Sequence, residues 1–305
     1  MIKTLLDLLQ FLFTNAQLLT SALILTLLSI YLSKTIKQNS KTFYFILSIP
    51  FLLFTIPFIL RLSGVDIINL ATVPVLGHIV RDYMLWGTFG HPLFIVVMYM
   101  GALDPKLSFV KKLKYIRKEL AIVGGFPVFT HLLWRIFNNF PNAWQFFTDN
   151  ESFVENNQVE SLLGATLVNF SFVFGVLMFL VFLPLWITSF DIVRKRMSVF
   201  TWKKIHKLAY VFYAAMFIHA MGISVGGILN TPPSSPRQTI EIQATGSLPT
   251  SITDYRLPLQ TRRYIQVASL LLIYGSYVVL RVRKSRKDKK RKSDKKIALS
   301  ENRLE

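Results

Sequence analysis

Long apolar runs alternate with short polar segments along this chain. Seven runs come near or exceed the ~20 residues that a helix needs to cross a bilayer. They are Leu5–Leu32, Phe43–Leu62, Tyr83–Leu103, Leu120–Phe137, Leu162–Ser189, Ile205–Leu229 and Tyr264–Leu280. In lipid a helix satisfies its own backbone groups, so the pattern predicts an all-α membrane protein with seven transmembrane helices. Pro50, Pro57, Pro92, Pro127 and Pro184 fall inside the runs, where neighbouring groups can satisfy the carbonyls they release. The first run is too long for a signal-peptide core, contains Asp7 and has no small-residue cleavage site after it, which predicts an uncleaved anchor.

The polar segments sort by charge. Ser33–Lys41, Asp104–Glu119, Ser189–Lys207 and the tail from Arg281 together carry 27 of the 35 Lys and Arg residues, and they alternate along the chain. The positive-inside rule then places these segments in the cytoplasm and the N-terminus outside, in a multi-pass protein of the cell (plasma or inner) membrane. The tail directly follows a span, so it reads as a stop-transfer and anionic-lipid segment and not as a nucleic-acid patch. The acidic segment Asn138–Glu160 falls on the outer side and is a candidate docking surface, with a solvated loop as the alternative. The outer segment 230–263, rich in Pro, Ser and Thr, carries no motif.

Composition agrees with lipid as the solvent: 52% of residues are hydrophobic, 17% are charged and the mean hydropathy is +0.44. There is no cysteine, which excludes thiolate metal sites, thiol nucleophiles and disulfides. Histidine therefore becomes the residue type to follow.

Three of the five histidines stand out. His131 lies about 13 residues into the fourth span from its basic end, His206 at the basic mouth of the sixth, and His219 a further 13 residues along the sixth. At 1.5 Å per residue, His206 and His219 are roughly 20 Å apart in depth. The fourth and sixth spans run in the same direction, so His131 and His219 fall at similar depth. Two neutral imidazoles from two helices at one level can ligate a haem iron axially. The alternative for each taken alone is a packed, hydrogen-bonded histidine. His91, in Gly90-His91-Pro92, is also within a span and reads as a packing residue first, with an alternative ligand or hydrogen-bond partner at the same site as the second reading. His78, near Arg81 and Asp82, reads as an outer-surface residue.

The residues flanking these histidines carry a resemblance. Thr188-Ser189, Arg194-Lys195-Arg196, Trp202-Lys203-x-x-His206-Lys207-Leu208-x-Tyr210 and His219 resemble the ferric reductase-like transmembrane domain. The closest likeness is to its bacterial branch, the haem-binding membrane subunit of the periplasmic methionine sulfoxide reductase system. Ile116–Arg135, with Glu119-Leu120 and His131-Leu132-Leu133-Trp134, resembles the earlier haem helix of the same family.

The resemblance implies a six-helix haem-binding core over residues 42–282, an extra N-terminal helix and basic loop over 1–41, and a basic cytoplasmic tail over 283–305. It implies one or two b-type haems, with His131 and His219 as the outer iron ligands and His206 as the inner one. Where the eukaryotic members carry the inner partner histidine, this chain has Arg117 and Lys118. Those two, with Lys203, Lys204 and Lys207, serve orientation first and are candidates to pair with haem propionates.

No Gly-rich dinucleotide fingerprint is present, and no segment outside the spans is long enough for a flavin or nicotinamide domain. The expectation is therefore a transmembrane oxidoreductase subunit fed from elsewhere. The donor would be a cytosolic flavin reductase with FMN or FAD, reduced flavin, or a membrane quinol. The acceptor would be an extracytoplasmic protein or ferric ion. A cofactor-free transporter or channel, or a scaffold, is the rival reading. Against a transporter, Asp7 and the boundary residues Asp104, Glu119 and Asp191 are the nearest carboxylates to the spans.

Overall fold

A computed structural model describes residues 8, 11–12, 14–65, 87–230 and 257–301. His78, Arg81, Asp82, Asp7, the start of the third apolar run and residues 231–256 lie outside the described residues. The described residues are helical, with no strand among them. In chain order they form α1 (Gln17–Tyr31), α2 (Ser33–Gln38), α3 (Ser40–Leu62), α4 (Gly90–Ala102), α5 (Ser108–Tyr115) and α6 (Arg117–Thr148). There follow α7 (Asn150–Asn156), α8 (Leu162–Ile187), α9 (Asp191–Arg194), α10 (Val199–His206), α11 (Leu208–Leu229) and α12 (Leu259–Glu301).

Five stretches among the described residues are long and apolar enough to cross a membrane: α3, α6, α8, α10 with α11, and the first part of α12. The protein is a multi-pass membrane protein. The first and third apolar runs are represented by shorter apolar helices, α1 of 15 residues and α4 of 13. The polar segments hold their own structure. The Asp104–Glu119 segment contains α5, and Ser189–Lys207 contains α9 and α10. The segment Asn138–Glu160 is mostly helix, since α6 runs on to Thr148 and α7 follows, capped by the Asp149 carboxylate accepting from the Ser152 amide.

The core explains which helices meet. Phe94, Met98, Phe182, Phe212, Leu270 and Tyr274 form one buried cluster drawn from α4, α8, α11 and α12. Leu18, Leu19 and Ala22 of α1 pack against that cluster, and α1 lies on α4 and α12. A second cluster joins Leu93, Val97 and Met100 of α4 to Leu120 and Val123 of α6. α3 is more peripheral and packs on α6, partly through Phe51 against Phe126 and Phe129. Leu23, Leu27, Phe45 and Leu180 are exposed on the outside of the bundle, as expected where lipid tails are the solvent.

Small residues set the closest approaches. The α8–α11 pairing is the most extensive in the fold, and Gly164, Ser171 and Gly175 of α8 face Gly226, Gly222 and His219 of α11. Gly222 and Gly226 form a G-x-x-x-G spacing, which lets backbones approach in a membrane where burial alone gives helices little reason to associate. Gly125 of α6 makes room for the Trp186 indole, whose Nε1–H donates to the Ile122 carbonyl at 2.9 Å.

Candidate functional site

His219 sits midway along α11, partly buried, with its ring against the face of α8 that lacks a side chain at Gly175. Its Nδ1 lies 2.7 Å from the Ser171 carbonyl oxygen. A carbonyl only accepts, so Nδ1 carries the proton and Nε2 keeps the lone pair. Fixing one ring nitrogen by a backbone carbonyl is the usual way a metal-binding imidazole is oriented through its other nitrogen.

His131 and His91 come to the same end of the bundle. The His131 ring lies beside Gly87, at the turn that opens α4. The His91 amide donates to the Gly87 carbonyl at 3.0 Å, which puts His91 next to that turn. The His91 imidazole and Arg135, one turn beyond His131 on α6, both lie within electrostatic range of His219. His91 has its own partner, since Nε2 lies 2.9 Å from the Tyr274 hydroxyl. α6 and α11 each pack on α8 and not extensively on one another, so His131 and His219 are carried on helices set apart by a third. Among the described residues no group of three or more His, Asp or Glu could hold a bare metal ion. An imidazole presented through Nε2 is one of the ligand types that hold a haem iron. The tautomer of His219 fits that group.

His206 has a different setting. His206 ends α10, at the junction with α11, with its ring against Trp202 at a centroid distance of 4.1 Å. Its Nε2 lies 3.2 Å from Thr188 Oγ1, while the Thr188 hydroxyl is 2.6 Å from the Pro184 carbonyl. With the hydroxyl proton given to Pro184, Nε2 of His206 is the donor to Thr188. Ligation through that nitrogen would require the bond to break. Trp202 also donates to the Thr188 carbonyl at 3.2 Å, and Arg194 lies over its indole at 5.0 Å. Arg117 acts on His206 electrostatically from the start of α6.

Lys118 is already engaged: its Nζ is 2.8 Å from Asp191 Oδ2 and 3.7 Å from Glu119 Oε1. That hydrogen bond holds the Asp191 carboxyl below its ordinary value, against a small opposing effect of burial. Lys203, Lys204 and Lys207 are exposed.

Glu119, two residues into α6, is buried within the protein, 1% exposed and paired with Lys37 at 2.8 Å. A buried carboxylate must be paired to be tolerated, and the pairing here comes from an element 82 residues away, which no local pattern could show. The basic tail is likewise continuous with the last span. Lys284 donates to the carbonyls of Gly101 and Leu103 at 2.9 and 3.0 Å, and Arg281 donates to the Tyr210 hydroxyl at 2.6 Å. Sequence reasoning passed over Ser171, Gly175 and Tyr274. The available signal was the small-residue spacing opposite His219.

Comparison with known proteins bears on this region. Residues 83–217 match the family described as ferric reductase like transmembrane component, which supports a ferric reductase-like domain over that stretch. The match includes His91, His131 and His206 and stops two residues before His219. An uncharacterized protein of Treponema pallidum (strain Nichols) is 30% identical over 99 residues, 32% of this chain and 20% of its own length. The chain thus spans about a fifth of that relative. No solved structure matches. Residues 83–217 are thus similar to a ferric reductase-like transmembrane component, in a multi-pass, all-helical chain.

Proposed function

We propose that the protein is a b-type haem membrane oxidoreductase subunit, carrying electrons from the cytoplasmic side or from membrane quinol to an extracytoplasmic acceptor. The observation that carries this reading is the state of His219. Its Nδ1–H is committed to the Ser171 carbonyl and its Nε2 is left as the ligating nitrogen, at the end of the bundle shared with His131 and His91. The ferric reductase-like match over the intervening helices supports it independently. When bound, haem would supply one-electron chemistry. The chain's own part is to hold an imidazole on each of α6 and α11, to keep them in apolar surroundings and to bring Arg135 near them, the levers by which a protein tunes such a centre.

The finer assignment is to the branch that serves the periplasmic methionine sulfoxide reductase system, on the motif around His206 and His219. Its donor would be a cytosolic flavin reductase or a quinol, and its acceptor a partner reductase or ferric iron. The basic segments α2, α5, α9–α10 and the end of α12 face the cytoplasm in this reading, by the positive-inside rule. A second haem would use His206, once Thr188 releases its Nε2.

The test is a dithionite-reduced minus oxidised absorption spectrum of the detergent-purified protein, with haem quantified per chain. Sharp reduced b-type bands that disappear in both His131→Ala and His219→Ala are the expected result. Unchanged bands in both variants would overturn the ligand pair. A haem-free protein, after expression with ample haem, would overturn the class and leave the transporter or scaffold readings.

A further inference from the structure

The α8–α11 seam holds one glycine whose place is explained by a single side chain. A methyl group built on Gly175 would come 2.7 Å from Cε1 and 2.8 Å from Nδ1 of His219, closer than real carbon contacts allow. These are atoms of the same ring edge that reaches the Ser171 carbonyl, one turn back on α8. The other seam glycines meet different groups. Gly222 faces the Ser171 side chain, while Gly164 and Gly226 face each other's helix backbone together with Asn230 and Val168. Gly101 and Gly275, elsewhere in the bundle, have nothing within 4 Å. Helix packing alone therefore accounts for Gly164, Gly222 and Gly226 but not for Gly175.

We propose that Gly175 is a positioning residue for His219: its missing side chain seats the imidazole flat enough on α8 for Nδ1–H to reach the Ser171 carbonyl, and so presents Nε2 as the ligand. The proposal rests on the haem reading and adds to it the residue that sets the ring's tautomer and orientation. Partners of this kind around a ligating histidine typically change metal affinity 10–100-fold when lost. A β-carbon at 175 must push the ring away from α8, lengthening or breaking the bond to Ser171. Ligand basicity and ring angle then change together.

The experiment compares holoprotein of wild type with Gly175→Ala, Gly226→Ala and Gly101→Ala, reading haem per chain, haem midpoint potential and the low-spin electron paramagnetic resonance spectrum. Gly175→Ala is expected to lose haem by roughly 10–100-fold in affinity, or to keep it with a shifted potential and altered g-values. Gly226→Ala, in the same seam but against Gly164 and Val168 and away from both His219 and Ser171, is expected to melt earlier with potential and g-values unchanged. Gly101→Ala is expected to match wild type. Wild-type potential and spectrum in Gly175→Ala would overturn the proposal, and so would equal shifts in Gly175→Ala and Gly226→Ala.

Should Gly175→Ala fail to fold, nitrogen NMR of haem-free wild-type protein labelled in histidine decides. An Nδ1–H tautomer at His219 bonded to a carbonyl supports the seat, and an Nε2–H tautomer overturns it. Absence of haem from the wild type would overturn the functional reading while leaving this last measurement able to judge the seat.

Discussion

Lys37 Nζ lies 2.8 Å from Oε1 of Glu119, joining the short helix after the first apolar run to the start of α6. The carboxylate is 1% exposed and the lysine about one-third exposed. Among the described residues only Lys118, at 3.7 Å, offers Glu119 a second cation, and Oε2 of Glu119 finds no partner among them. Lys37→Met is therefore expected to destabilise the protein by about 3 kcal/mol, the cost of stranding a buried charge. Adding Glu119→Leu to Lys37→Met should recover most of the loss, because it removes the stranded charge. Thermal unfolding in one detergent across the two single variants and the double variant checks this, and additive losses would count against the pairing.

Gly125 faces the Trp186 indole with no room for a methyl group, while Gly124 faces the edge of Phe94 with a closest approach of 3.2 Å. Gly125→Ala must displace the indole and break its bond to the Ile122 carbonyl. It should cost about 1–3 kcal/mol by overpacking, more than Gly124→Ala. The ordering of melting temperatures, with Gly101→Ala close to wild type, is the readout.

The first turns of the basic tail act as a cap. Lys284 and Arg281 supply cations to the last carbonyls of α4, where a helix leaves acceptors without intrahelical partners. Truncation after Leu280 should lower stability by about 2 kcal/mol, from hydrogen bonds to charged groups. Truncation after Asp288 should leave the melting temperature near wild type. Equal effects of the two truncations would place the stabilisation further along the tail.

Stability should also report the Asp191–Lys118 pair. The folded-state pKa of Asp191 is depressed, with the Lys118 hydrogen bond as the largest cause. Its contribution is therefore present above the ordinary aspartate value and is lost as pH falls through the folded one. The side chains are substantially exposed, so the effect is small. Asp191→Asn is expected to remove a shallow acid-side fall in melting temperature and to leave stability at neutral pH lowered by at most ~1 kcal/mol. A steeper acid limb in the variant would reverse the sign and refute the assignment.

His206 already spends its Nε2 on Thr188 and its ring face on Trp202. On the haem reading proposed above, His206→Ala is therefore expected to retain haem at His131 and His219 while being destabilised by about 1 kcal/mol for one lost hydrogen bond. Loss of half the haem from a two-haem wild type would show instead that the Thr188 bond gives way on haem binding.

Much of this was legible in the sequence because lipid imposes a one-dimensional rule. A run of ~20 apolar residues must become a helix to satisfy its backbone. Hence α3, α6, α8, α11 and the first half of α12 fall where the runs of Phe43–Leu62, Leu120–Phe137, Leu162–Ser189, Ile205–Leu229 and Tyr264–Leu280 lie. The 13-residue spacing of His206 and His219 was legible too, although the helix breaks at Lys207 between α10 and α11. What the sequence could not carry was anything set by contact between runs. That Glu119 is buried depends on Lys37. That His219 commits Nδ1 rather than Nε2 depends on a carbonyl at Ser171, and its ring lies where Gly175 has no side chain. That His206 is occupied depends on Thr188. Hydropathy and spacing determine which residues enter the membrane and how deep they lie, because both act along one helix. Which face each helix turns to its neighbour, and therefore which polar atom finds a partner, is decided by packing in three dimensions.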